Sequence, residues 1–302
     1  MRIGIDETGD FSPTSPTRDH FCVAIHPRLP SLGRFRQWES LIGKDNRENG
    51  EVKGHLLTND QLAAFVSDVL EPDPPIRLRP VLVRPSEEAL EWIAFSRQAT
   101  AAGLRAAAQD LATKGNRKPG REAQRCADWI AALNDSDYLW LNGMSTCVGA
   151  ALYDLLVDAT AGGYTEELDD LKVSVDERTI RARNLAGRSG AVQAIAWFFR
   201  ADSGQAFPPI EGLLRDMDDT HPFARRWRGA DRQWRVVPLV ESVCNFSARS
   251  SEHPEIRIAD VAAAIFSRGS NRDDPGARAL HERCIALVGG SERPLHVRLA
   301  QP

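Results

Sequence analysis

The chain has 302 residues, of which 42% are hydrophobic and 26% are charged, and its formal net charge is −4 at pH 7. This composition is typical of an ordinary globular protein with enough apolar material for a full core. It excludes a protein that coats nucleic acid through overall positive charge. No apolar stretch approaches the ~20 residues of a membrane-spanning helix, so we expect no membrane association.

The start of the chain and its cysteines bear on where the protein works. No basic and apolar leader precedes the first predicted strand, so we expect a cytoplasmic protein. The five cysteines are scattered, lie among apolar neighbours and form no C-x-x-C pair. We therefore predict buried thiols, not disulfides or zinc ligands.

The first apolar run of the chain ends in adjacent carboxylates. Residues 2–5 (RIGI) predict a buried strand, and Asp6 and Glu7 follow where that strand leaves the core. Because charged side chains are rarely buried without a partner, this position indicates a bound cation or a reacting group. The alternative is a strand followed by an ordinary acidic turn.

Strands and helices alternate over the next part of the chain. The second strand is expected to form a hairpin with the first, and a cluster of prolines ends the helix before the third strand. The predicted elements are a strand over 20–26, the start of a helix over 34–41, a helix over 63–70 capped by Thr58 or Asn59, and a strand over 77–83.

Residues 86–161 have a different character from the rest of the chain. They are rich in alanine and have helical periodicity, so we predict a largely helical insertion or cap within a single domain of residues 1–302. The expected helices cover 87–111, 121–133 and 144–159, and the first two are joined by a basic loop.

The remaining part of the chain returns to alternating elements. A fourth apolar run over 171–175 also ends in adjacent carboxylates, Asp176 and Glu177. Strands interleaved with helices after an initial hairpin predict an α/β fold with a mixed sheet flanked by helices. The other predicted elements are a short strand or helix over 191–200, an edge strand over 235–243, and helices over 256–268 and 275–288.

Three aspartates are the centre of the predicted site. In open α/β sheets, ligands gather at the carboxyl ends of strands, so Asp6 and Asp176 are expected to converge if their strands are neighbours. Asp260 stands among small and apolar residues of a helix, where the alternative is a first-turn carboxylate stabilised by the helix dipole. Oxygen ligands from three elements are typical of Mg²⁺ or Mn²⁺ in phosphoryl transfer.

Two basic segments are candidates for contact with nucleic acid. Arginines interleaved with tryptophans suit phosphate contact and base stacking. The alternative is a pair of solvated segments whose tryptophans pack into the core. The candidate residues are Lys114, Arg117, Lys118 and Arg121 in the first segment and Arg226 and Arg228 in the second.

The order of four motifs resembles a known family. The motifs are IDETGD (5–10), EVKGHLL (51–57), KVSVDERT (172–179) and IRIADVAAAIF (256–266). In this order they are similar to those of the domain-of-unknown-function 3800 family, in which a serine usually stands at the position of Thr8. The resemblance implies an RNase H-like fold and a setting near mobile or defence elements.

The resemblance also implies roles for individual residues. Its metal ligands would be Asp6, Asp176 and Asp260, with Glu7 as a second ligand or orienter and Glu177 in support. Lys53 would approach the phosphate and Glu51 would fix Lys53, although a same-face strand pair is the alternative for these two residues. With water as the nucleophile, these roles predict a Mg²⁺- or Mn²⁺-dependent nuclease or phosphodiesterase acting on DNA or RNA.

Two other functions remain open from the sequence. The chain could be a noncatalytic module in which the helical insertion recognises a protein partner and the acidic cluster only binds an ion. An actin-like phosphotransferase is indicated by residues 3–9, but the second strand–Asp–x–Gly loop of such enzymes is absent, because Glu177 and Arg178 follow Asp176.

Overall fold

The computed structural model describes residues 2–14, 19–84, 90–162, 171–176, 222–227, 239, 242–271, 273–288 and 295–296. Its strands are β1 (Arg2–Thr8), β2 (His20–His26), β3 (Arg47–Glu48), β4 (Glu51–Val52), β5 (Arg77–Val83), β6 (Lys172–Asp176), β7 (Cys244–Ala248) and β8 (Leu295–His296).

Its helices are α1 (Leu29–Leu41), α2 (Asn59–Phe65), α3 (Leu90–Thr113), α4 (Arg117–Ala132), α5 (Asp135–Gly162), α6 (Pro222–Trp227), α7 (Pro254–Asn271) and α8 (Pro275–Ile285). A π-helical turn over Val66–Leu70 continues α2, and 3-10 turns cover Lys44–Asn46 and Gly54–Leu56. Among the helices of the described ranges, none combines the length and apolarity that a membrane crossing requires.

Six strands form one mixed sheet in the order β7-β6-β1-β2-β5-β8, and β3 and β4 form a separate hairpin. Strand β1 pairs antiparallel with β2 and parallel with β6, and β6 pairs parallel with β7. The prediction of an α/β fold with a mixed sheet flanked by helices is confirmed.

Helices cover both faces of this sheet. Ile3 and Ile5 belong to a core shared with α3, α4 and α5, whereas Val23 and Ile25 belong to a core shared with α1, α2, α7 and α8. Because successive strand residues point to opposite faces, Gly4 and Asp6 lie on the face of α7. All five cysteines are buried and free, as predicted.

Several predicted helix boundaries are confirmed or moved by capping. Thr58 caps α2 as expected: its hydroxyl accepts the Gln61 N–H at 3.3 Å, and its own N–H donates to the Gln61 side chain at 2.8 Å. Helix α5 begins well before residue 144, because the Asn134 side chain accepts the Asp137 N–H at 2.8 Å. The expected start of α5 was therefore wrong.

The basic loop predicted between the first two helices of this block is present but shorter than expected, because it covers only residues 114–116. Arg117, Lys118 and Arg121 lie in the first two turns of α4. Pro119 is tolerated there because the first N–H groups of a helix have no partner within it. Helix α1 likewise begins earlier than residue 34, with a proline in its first turn.

The edge strand predicted over 235–243 was wrong in its described part. Residues 239, 242 and 243 are helical, and the strand is Cys244–Ala248 instead. This segment has no β-branched residue, so its pairing with β6, not its own propensity, makes it a strand. The element predicted over 191–200 lies outside the described residues.

Candidate functional site

The sheet places Asp6 and Asp176 next to each other. The parallel pairing of β1 and β6 aligns Ile5 with Val175, and each aspartate follows by one residue. Both aspartates therefore lie at the carboxyl ends of adjacent strands and on the same face. The pairing of β6 with β7 shifts register between Ser174 and Asp176, an irregularity that falls at this edge of the sheet.

Helix α7 brings Asp260 to the same place. It packs against β1, β2 and β6, and it begins at Pro254, so Asp260 lies in the second turn. The alternative of a first-turn dipole carboxylate is therefore wrong. Gly4 permits the close approach, because a Cβ atom there would lie 2.3 Å from the carbonyl carbon and oxygen of Glu255.

Asp6 is surrounded by like charge. Its side chain is almost buried, with 7% of the residue exposed. Burial raises the pKa of the Asp6 carboxyl well above its usual range, and the carboxylates of Asp260, Glu7 and Asp176 raise it further. The Glu7 N–H donates to the Asp6 carboxylate at 2.8 Å and opposes the rise. The sequence-predicted carboxylates thus lie within electrostatic reach of one another.

Asp260 and Lys53 interact across the same site. Burial raises the pKa of Asp260, and the Gly54 N–H, which donates to Asp260 Oδ2 at 3.0 Å, and the charge of Lys53 oppose the rise. Burial would lower the pKa of Lys53, but the carboxylates of Asp260, Glu51 and Asp6 outweigh burial and raise it. Lys53 is therefore a firmly charged ammonium group facing the aspartates.

Glu51 holds this lysine from the other side. Lys53 Nζ lies 3.4 Å from Glu51 Oε2, and the Ser250 hydroxyl donates to the same carboxylate at 2.7 Å. Ser250 belongs to the loop before α7, so the lysine is tied to the segment that also delivers Asp260. The expected Glu51–Lys53 pair is present.

Glu7, the second carboxylate of the first predicted Asp-Glu pair, does not lie on the same face of the sheet as Asp6. Glu7 follows Ile3 and Ile5 in the alternation of β1, so it projects from the face opposite Asp6. Its charge still reaches Asp6. Glu177 lies outside the described residues.

The donor set suits a hard divalent cation. In the described part of the chain, no group of three or more His, Cys, Asp or Glu side chains is arranged to hold a metal ion. Mg²⁺, however, is usually bound through one or two carboxylates together with waters and substrate phosphates. Asp6, Asp176 and Asp260 offer only oxygen ligands, which such ions prefer.

The structure does not bring the basic candidates to this site. Lys114 pairs with Asp110 at 2.8 Å, and Arg117, Lys118 and Arg121 are exposed on α4, in the layer on the other face of the sheet from α7. The guanidinium of Arg226 lies 5.0 Å over the ring of its own neighbour, Trp227. Arg228 lies outside the described residues.

Two residues that the sequence did not single out shape the site. Arg268 is buried and donates to backbone carbonyls of the turn that carries Lys53. Gly4 allows α7 to pack closely against β1. The sequence does indicate this, because a glycine inside an apolar strand often marks the close approach of another backbone.

Comparison with known proteins adds no relative. No family model, no curated protein and no solved structure matched the chain. The resemblance to the domain-of-unknown-function 3800 family therefore stays a prediction.

Proposed function

We propose that the aspartate site is a Mg²⁺- or Mn²⁺-dependent phosphodiesterase centre that cleaves DNA or RNA. One observation carries this proposal: the nearly buried Asp6 faces Asp176 and Asp260, with Lys53 as the adjacent cation. Burying like charges together costs free energy unless a cation neutralises them. A divalent ion would supply that charge.

The arrangement of strands supports the same proposal. An antiparallel hairpin, β1–β2, continues on its other side into the parallel strands β6 and β7. This arrangement is compatible with the RNase H-like fold that the resemblance implies. The carboxylates lie at the carboxyl ends of the parallel strands, where open α/β sheets bind ligands.

Each residue has a separate role in the proposed centre. One or two of the three carboxylates of Asp6, Asp176 and Asp260 would hold the cation, and waters and phosphate oxygens would supply its other ligands. The bound ion would act as a Lewis acid toward the phosphoryl group. Lys53 would contact a non-bridging phosphate oxygen, and Glu51 would keep the ammonium group in place until the substrate arrives.

The substitution Asp6→Asn separates the charge of the site from its metal binding. In EDTA, we expect this variant to melt at a higher temperature than the wild type, because one buried negative charge is gone. With Mn²⁺ at 100 times its dissociation constant, the wild type gains about 2.7 kcal/mol. For a chain of 302 residues this gain corresponds to a melting shift of roughly 4 °C that the variant lacks.

The matched control is Asp128→Asn, in an exposed carboxylate that pairs with Arg105 at 3.1 Å. It should melt within about 2 °C of the wild type and respond to Mn²⁺ in the same way. Cleavage of single- and double-stranded DNA and RNA is then assayed with the wild type and the two variants. A wild type that shows neither a Mn²⁺-dependent shift nor cleavage refutes the proposal, and a shift without cleavage favours the noncatalytic module.

A further inference from the structure

The turn that carries Lys53 is fixed to α7 at two points. At one point, Asp260 Oδ2 accepts the Gly54 N–H at 3.0 Å. At the other, the Arg268 guanidinium donates to the carbonyl of His55 at 2.8 Å, to that of Gly54 at 3.3 Å, and to that of Leu57. The turn is therefore clamped along its whole length.

The clamp lies along one face of the helix. Asp260, Ala264 and Arg268 are spaced four residues apart and so share a face of α7. Gly54 packs directly between them, since a Cβ atom there would lie 2.7 Å from Ala264 Cβ and 2.8 Å from the Asp260 carbonyl oxygen. No larger residue would allow the turn to lie this close to the helix.

Arg268 is suited to this task by its chemistry. Only 8% of the residue is exposed, and a buried guanidinium needs acceptors for its donors. Its planar fork can serve several carbonyls at once, which a lysine ammonium group on a flexible stem cannot do with the same geometry.

We propose that Arg268 is a positioning residue of the site: it fixes the turn that presents Lys53 and the Gly54 N–H to Asp260. This inference rests on the proposed function only in calling the aspartate cluster a functional site. The contacts between Arg268 and the turn do not depend on that function. Glu51, which accepts from Ser250, holds the ammonium group of Lys53, and Arg268 holds the backbone that follows Lys53, at residues 54, 55 and 57.

Lysine acetylation with a water-soluble ester, read by mass spectrometry, tests this clamp without any substrate. The chain has five lysines, at positions 44, 53, 114, 118 and 172, so each one can be followed separately. In the wild type, Lys53, with 22% of its side chain exposed, should react more slowly than Lys114, with 65% exposed. The variant Arg268→Lys itself adds a sixth lysine, which is followed separately. In this variant we expect the rate at Lys53 to rise about tenfold and the rates at the other four original lysines to stay unchanged.

A matched control uses another arginine that donates to the carbonyls of a turn. Arg34 donates to the carbonyls of Val69, Pro72 and Pro74, away from the site. Arg34→Lys should leave the rate at Lys53 unchanged. Arg268→Gln, which keeps a single amide donor, serves as the second variant if Arg268→Lys does not fold.

Two results would overturn the inference. One is an unchanged rate at Lys53 in the folded Arg268 variant, and the other is an equal rise at all five lysines, which would indicate only lower stability. If the wild type cleaves nucleic acid, Arg268→Lys should lower kcat by about tenfold and leave KM unchanged. An equal loss of kcat in Arg34→Lys would also count against the inference. If the wild type does not cleave, the proposed function fails while the labelling result still decides the role of Arg268.

Discussion

The contact between Gly4 and the start of α7 gives the sharpest test of the architecture. In Gly4→Ala the new methyl group would lie 2.3 Å from the carbonyl carbon and oxygen of Glu255 and 2.8 Å from the Ile256 nitrogen. Ordinary contacts of a Cβ atom begin at 3.4 Å. Because all three atoms belong to the backbone, the strand and the helix must separate by about 1 Å to accept the methyl group.

The expected cost follows from this geometry. Overpacking of this kind costs about 1–3 kcal/mol, and the smaller entropy of the unfolded alanine chain offsets about 0.5–1 kcal/mol. A net loss of about 1–2 kcal/mol corresponds, for 302 residues, to a fall in melting temperature of roughly 2–3 °C. The same displacement moves Asp260 away from Asp6, and under the proposed function a shift of about 1 Å would lower cleavage by about 100-fold.

Thermal unfolding of Gly4→Ala is compared with that of Gly33→Ala. Gly33 lies inside α1, and nothing would lie within 4 Å of its new Cβ atom. We expect this control to gain about 0.5–1 kcal/mol, because alanine is the better helix former. If Gly4→Ala is as stable as the wild type or gains stability like the control, then α7 does not pack on β1 at this point and the reasoning fails.

Two further predictions concern regions away from the site. Burial and two nearby arginines lower the pKa of His26 to about 4, so below its ordinary pKa only the unfolded chain takes up the proton. The contribution of His26 to the free energy of unfolding should fall by about 2 kcal/mol from pH 7 to pH 5, whereas protonation of Asp6 and Asp260, whose pKa values are raised, acts in the opposite direction. The difference between the wild type and His26→Gln should therefore change by about 2 kcal/mol over this range, and a constant difference would contradict the prediction. Asp154→Ala removes the carboxylate that pairs with Arg79, whose side chain is only 7% exposed. This substitution should lower the free energy of unfolding, measured in urea, by about 3–5 kcal/mol. Asp128→Ala, in an exposed pair, should lower it by less than about 1 kcal/mol. Equal losses in these two variants would show that burial does not decide the strength of the pairs.

The strands that carry the site could be predicted because their signal is local. The apolar runs over 2–5 and 171–175 are each followed by adjacent carboxylates, and the observed strands Arg2–Thr8 and Lys172–Asp176 begin and end within about three residues of these runs. Their side-by-side pairing could not be predicted, because it depends on the long connection between them. Strand β7 was missed for the same reason: its partner β6, not its own residues, makes it a strand.

The residues of the candidate site also differ in whether the sequence could identify them. Asp260 could be selected from the sequence because a carboxylate among alanines and isoleucines is unusual. Arg268 could not, since it contacts backbone carbonyls, which every residue has and no sequence pattern marks. The helical periodicity places both residues on one face, but only the folded turn at Gly54 shows what that face holds.

The bond between Gly54 and Asp260 joins residues 206 positions apart in the sequence. During synthesis, Asp6 in β1 and Asp260 in α7 are therefore separated until the residues between them have been made. A chain that lacks α7 lacks Asp260 and the helix that packs on β1 and β2. Under the proposed function, cleavage would therefore begin only once α7 has been made and has packed on the sheet, and until then nearby nucleic acids would not be cut.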